Sequence, residues 1–286
     1  VMDVAMNALG VDAERASGTA VMSRFHAFFS LGGFLGALLV MGSAKLQGGD
    51  GADPRWALVA AAIFAGAGLT ALFALTPQAP HVEDSTDDAA PISPRSGDAP
   101  SRPGIPPQAW LLGVMALFFG FTEGTAIDWA SIHVTDVAHV DPGVGAAGLV
   151  CVSATMVVIR LLGDSLVARF GRAAVVRFGA PVAVAGFGVV ITTSSLPLIL
   201  VGWLLVGLGV GMIAPQIYAI AGHIGGGRVL AIVTAFGYTA FLAGPGIIGF
   251  LSNHFGIQRA MILPFVAGLL LTGLTFTAAL RDPQES

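Results

Sequence analysis

Apolar residues run through this chain in long blocks separated by short polar seams, and one polar stretch, residues 77–107, divides the blocks into two groups. Full-length blocks lie near 22–44, 56–76, 109–134, 143–168, 174–193, 197–221, 229–252 and 258–280. A helix rising about 1.5 Å per residue needs about 20 residues to cross a hydrocarbon layer about 30 Å thick, so each block predicts a membrane-spanning helix. The strict alternation of a membrane β-strand is missing from all of them, which leaves helices as the reading. Residues 1–13 form a shorter apolar block that stops at Glu14 and Arg15 and predicts a partial span. The expected fold is therefore an all-α integral membrane protein with three spans before the polar stretch and six after it.

Residues 77–107 carry eight of the sixteen prolines, five acids (Glu83, Asp84, Asp87, Asp88, Asp98) and two arginines (Arg95, Arg102). With nothing apolar to bury against the cost of ordering, this stretch predicts a disordered, semi-extended linker. A flexible chain of that length reaches about 30 Å, enough slack for two helical bundles to move against each other. Basic residues then fix the orientation. With the linker in the cytoplasm, Arg15, Arg24, Arg95, Arg102, Arg160, Arg169, Arg172, Arg177, Arg228 and Arg281 fall inside, against Lys45, Arg55 and Arg259 outside.

Composition agrees with the pattern, at 55% hydrophobic and 10% charged residues and a mean hydropathy of +0.83. Soluble domains carry roughly 25% charged residues. The net charge of −4 owes about three charges to the linker, so nothing supports a nucleic-acid role. A single cysteine, Cys151, inside an apolar block rules out an intrachain disulfide and a multi-thiolate metal site. The chain starts at Val1 with no basic segment ahead of an apolar core, so residues 1–20 do not read as a signal peptide. A Ser-His-Asp arrangement, a Walker phosphate loop and a dinucleotide fingerprint are all missing, so neither enzyme chemistry nor ATP drive has a foothold and no cofactor is expected.

Among the 39 glycines, Gly32, Gly33 and Gly36 in one block and Gly202, Gly207, Gly209 and Gly211 in another have spacings that let helix backbones approach closely. Pro215 and Pro245 lie within blocks, where loss of a backbone donor predicts a kink or hinge.

Six stretches together resemble the major facilitator superfamily of secondary transporters: DVAMNALGVDAER (3–15), MSRFHAFFSLGGFLGA (22–37), EGTAIDWASIHV (123–134), RLLGDSLVARFGRAAVVRFG (160–179), GLGVGMIAPQIYAIAG (207–222) and GYTAFLAGPGIIGF (237–250). The resemblance implies two six-helix bundles joined by a long cytoplasmic loop. On that mapping residues 1–76 correspond to the end of helix 4 and helices 5 and 6, and 108–286 to helices 7–12, about nine of twelve. The loop at Gly163, Asp164, Arg169, Gly171 and Arg172 is similar to the family's cytoplasmic signature, although Ala168 stands where the common form has an aspartate. Arg160, four residues before Asp164, lies within pairing reach on one helix face. In the family this network latches the two halves, so these six residues are gate candidates; topogenic positive charge is the competing explanation. Gly244 and Pro245 resemble an antiporter motif displaced to another helix.

Ionisable side chains at bilayer depth cost about 2.5–3.5 kcal/mol or more, so each needs a wet cavity or a partner. Glu123 lies thirteen residues past Trp110, about 20 Å into its helix, and Asp3 lies eleven residues before Glu14, about 17 Å in. These two, with Asp128 nearer the outer interface, are the proton-coupling candidates. A structural hydrogen bond and direct substrate contact are the alternatives for Glu123. Asn7, four residues from Asp3, joins Trp129, Gln216, Tyr218 and Tyr238 as possible lining of a substrate cavity, with ordinary packing as the competing role. His26 lies two residues from Arg24, where pH sensing is conceivable. The segment HVTDVAHVD offers His133, Asp136, His139 and Asp141, metal-binding residue types that fit a solvated loop better than a metal site.

The expected function is secondary active transport of a small solute by alternating access, driven by protons, in a monomer multi-pass in the cytoplasmic membrane. The alternative is a truncated, non-transporting remnant of such a protein.

Overall fold

The computed structural model describes residues 2–47, 53–75 and 104–282, so the linker reading lies almost wholly outside the described residues. Among the described residues there is no strand. Helix α1 spans Met2–Ser17 and runs past the partial block to include Glu14 and Arg15. Met22–Leu46 forms α2 and Pro54–Leu75 forms α3. After the linker come α4 (Pro107–Ala138), the single turn α5 (Pro142–Gly145), α6 (Ala147–Phe170), α7 (Arg172–Thr192) and α8 (Leu196–Val210). The chain closes with α9 (Ile213–Phe255), the short α10 (Ile257–Ala260), α11 (Ile262–Leu274) and a 3₁₀ turn at Ala278–Leu280.

Six stretches of the described residues are long and apolar enough to cross a membrane; one of them, Leu196–Phe255, is 60 residues long and holds more than one crossing. Within it the helical dihedrals fail at Gly225 and Gly226, where Gly226 has φ +59, a conformation that glycine adopts without a Cβ clash. That break falls in the polar seam between the blocks 197–221 and 229–252. A second break separates α8 from α9 at Gly211 and Met212. Pro215 sits in the first turn of α9, where its missing N–H leaves no gap in the ladder. Pro245 lies inside α9 with helical dihedrals on both sides, so the hinge expected there is not expressed as a break. Pro181 likewise lies inside α7.

Gly171, at φ +79, turns the chain sharply from α6 into α7 and brings Arg172 back to the end where α4 begins. Gln108 at the start of α4 donates to the carbonyls of Ala279 (3.0 Å) and Arg281 (2.6 Å), which fixes the C-terminal segment at the same end. We call this the linker end.

The core lies among α4, α7, α8 and α9, around Phe119, Phe187, Trp203 and Ile217. In a bilayer, lipid solvates apolar side chains as well as protein does, so close packing carries the association. Helices α7 and α8 show this directly. A Cβ on Gly209 would clash with Ala183 N and lie 2.6 Å from Gly179 O, and one on Gly186 would lie 2.6 Å from Val206 N. On α2, by contrast, Gly32 and Gly36 face open space and Gly33 meets only Ser153 Oγ at 3.8 Å, so the expected close approach is not seen there. Along α3, Trp56, Leu58, Ile63 and Leu69 are exposed, and its apolar stretch Leu58–Ala71 is shorter than the full crossing expected at 56–76.

The segment expected to be a solvated outer loop is largely helix, because α4 continues to Ala138. His133 is fully buried, 5.4 Å from the Trp203 ring, and Asp141 caps α5 by accepting from Val144 N at 3.1 Å. No group of three or more metal-ligating side chains occurs among the described residues.

Candidate functional site

Two polar clusters interrupt the apolar interior, one deep and one at the linker end. The deep cluster centres on Arg160, 1% exposed on α6, whose guanidinium donates to Glu123 Oε1 on α4 at 2.7 Å. The same side chain donates to Ser30 Oγ and the His26 carbonyl on α2, and to the Gly211 carbonyl after α8. His26 Nε2 lies 2.9 Å from Asn7 Oδ1 on α1, and its ring stacks on Tyr218 of α9 at 6.0 Å. Five helices therefore converge on one buried ion pair. Transferring either charge alone into this setting would be costly, and four directed hydrogen bonds on the guanidinium offset much of that cost.

Arg160, expected among the gate residues, lies deep in the interior. Ten residues separate it from the end of α6, which is about 15 Å of helix, too deep for a boundary residue. Asp164, its expected partner, is held from α2 instead: Ser23 N donates to Oδ1 at 3.0 Å, and Arg24 Nε lies 3.1 Å from Oδ2. Gly163 permits this, since a Cβ there would sit 2.6 Å from Ser23 Oγ.

At the linker end Arg172 bridges two carboxylates, Glu14 Oε2 at 2.6 Å and Asp282 Oδ2 at 2.9 Å. It also donates to Gln216 Oε1 at 2.8 Å, and Gln216 Nε2 in turn donates to Ser23 Oγ at 3.0 Å. His223 closes the ring, with Nδ1 3.1 Å from Asp282 and Nε2 3.3 Å from Glu14. The second of these is an ion-pair contact and not an aligned hydrogen bond. Burial raises the Glu14 carboxyl, but the His223 ring, the Arg172 guanidinium and the Met22 and Val21 amides outweigh burial and hold it below the ordinary glutamate value of 4.5. Beside the ring opens a cleft of about 800 Å³ lined by Glu14, Thr19, Arg24, Asp164, Arg172 and Asp282.

Gln216, expected in the substrate cavity, thus belongs to the linker-end cluster, and Arg160, expected in the gate, belongs to the deep one. Asn7, Glu123 and Tyr218 all lie in the deep cluster. Asp128 is exposed on α4 and Tyr238 is 38% exposed on α9. Trp129 packs against Gly249. Arg169 is exposed beside the Phe170 ring, outside the gate network. Asp3 lies on α1, but its side chain is outside the described residues. Gly244 meets only the Phe121 ring, at 3.8 Å. Glu14, Ser23, Arg24, Ser30, His223 and Asp282 were missed from the sequence as site residues; the usable signal was that the charged ones lie in or within three residues of the seams on the linker side.

A helical fold with polar clusters buried between membrane-spanning helices defines a polytopic membrane protein of transporter type. The pattern of the Major Facilitator Superfamily matches residues 4–226, and the chain belongs to that family. It is 32% identical over 272 residues to an uncharacterized transporter of Sinorhizobium fredii, covering 94% of this chain and 67% of that protein. It is 29% identical over 277 residues to an uncharacterized MFS-type transporter of Yersinia pestis, covering 95% and 67%. The membrane protein MosC of Rhizobium meliloti matches 56% of this chain and 40% of its own length at 27% identity. No solved structure gives a significant match.

Proposed function

We propose that this membrane transporter moves a small solute by alternating access, driven by protons that bind at Glu123. The observation that carries this reading is the buried Arg160–Glu123 pair at 2.7 Å, placed where α1, α2, α4, α6 and α9 converge. Adding a proton to Glu123 cancels one charge of the pair and frees the guanidinium for another acceptor, so proton occupancy and the arrangement of the helices are linked. The linker-end network of Arg172, Asp164 and their partners acts as the gate, with Gly163 and Gly171 shaping it. Residues 1–76 and 108–286 are the two bundle portions and 77–107 the tether between them. The excess of arginine at the linker end supports a cytoplasmic position for that end, and the proposal takes the protein as a monomer in the cytoplasmic membrane.

The test uses proteoliposomes containing the protein and a trapped pH-sensitive dye, challenged with a panel of sugars, organic anions and amphipathic cations under an imposed pH gradient. At least one solute class should move protons with it, and E123Q should abolish that proton flux. Solute flux indifferent to the gradient would sink proton coupling.

A further inference from the structure

The linker-end ring has a property that the deep pair lacks. His223 lies with a carboxylate against each ring nitrogen, Asp282 at Nδ1 and Glu14 at Nε2. A neutral imidazole has one N–H donor and one lone pair, and an ionised carboxylate only accepts. Only the imidazolium turns an N–H and a positive charge towards both neighbours; the neutral ring would set a lone pair against one of them. The charge sum agrees. Arg172 and a protonated His223 set two positive charges against Glu14 and Asp282, and loss of the proton removes one of the two.

We propose that His223 is a second proton-binding site, separate from Glu123, whose charge fastens α1 and the segment after the 3₁₀ turn onto α7 and α9. Three parts of the chain distant in sequence meet at this ring: Glu14 from α1, Arg172 from α7, and Asp282. The other charged groups nearby do not replace it. Arg15 on α1 donates to the Gly222 carbonyl at 2.6 Å and pairs loosely with Asp12, while Arg24 is taken by Asp164 across the neighbouring cleft. Arg228 stands beyond the break at Gly225–Gly226 on the same helix as His223. Helix α8 has no ionisable side chain, and α4 offers only Gln108 at this end. Because Glu14 is held below the ordinary glutamate value, it stays an acceptor throughout the range in which an imidazole titrates. The fastening is therefore complete while His223 is protonated and is released as pH rises through its titration.

The test is a spin-label distance measurement on the full chain, with Ala16→Cys on α1, Ala174→Cys on α7 and Cys151→Ser; both labelled positions are exposed. The wild-type background should give a short distance at about pH 6 and shift to a longer-distance population at about pH 9. H223N, which cannot take the charge, should show the longer population at both values. D282N, which retains the side-chain shape, should shrink the pH-driven shift. A wild-type distribution unchanged between the two pH values overturns the proposal without need of any variant, and so does an undiminished shift in H223N.

Discussion

Glu14 is touched by an imidazole, a guanidinium and two backbone amides at once, and those donors overcome the burial that would otherwise favour its neutral form. Its folded carboxyl is held below 4.5, so its contribution to stability is complete above that value and is lost as pH falls through the lower folded value. Replacing it by Gln preserves the shape but leaves Arg172 and His223 short of one negative partner. E14Q should lower stability by about 1–3 kcal/mol near neutral pH. In detergent melting curves the gap to wild type should then close as the pH is taken below 4.5; a gap that persists or widens in acid contradicts the assignment. Arg160 makes the complementary point about reading depth from sequence. Its proximity to Asp164 suggested a boundary pair, yet an arginine ten residues inside a helix reaches whatever carboxylate shares its depth, and that is Glu123.

Helices α7 and α8 are joined by four glycines in register, Gly179 and Gly186 on one and Gly202 and Gly209 on the other, each pair seven residues apart. Seven residues is close to two helical turns, so each pair lies on one face, and antiparallel packing sets 179 against 209 and 186 against 202. Backbone atoms line these contacts and cannot rotate away as a side chain would. Gly209→Ala should therefore cost about 1–3 kcal/mol by overpacking. Gly246→Ala is the control, because nothing lies within 4 Å of its added methyl group. Equal melting temperatures for the two variants would show that the α7–α8 contact is looser than its geometry. The glycines of α8 were legible in the sequence, as were the positions of nearly all the helices, because block length and seam position carry that information. The glycines of α2 misled, since spacing says which face is small but not whether anything covers it. The α4 helix end misled as well: His133 and Asp136 look like loop chemistry until the helix is seen to run to Ala138 with His139 at φ +53 as its left-handed cap.

Across the whole molecule, residues 2–47 are tied to residues 104–282 by apolar packing, as of Val11 and Met22 on Ala219, and by four polar pairs: Glu14 to Arg172, Arg24 to Asp164, Ser23 to Gln216, and Ser30 to Arg160. The partners lie well over a hundred residues apart, so no local pattern could reveal them, and this is why the composition of the site was half legible and its pairing was not. Polar ties of this kind suit two bodies that must separate and rejoin, because water can replace each partner when the seam opens, whereas an apolar seam would resist opening. These contacts predict that the two parts stay joined even when the chain between them is cut. A protease site inserted within 77–107 tests this directly. After cleavage in mild detergent the two fragments should still elute as one species. The R160Q/R172Q double variant, which removes a guanidinium from each cluster, should let them separate. Wild-type fragments that part on cleavage would assign the cohesion to the tether, and double-variant fragments that stay joined would assign it to apolar packing between α2 and α6.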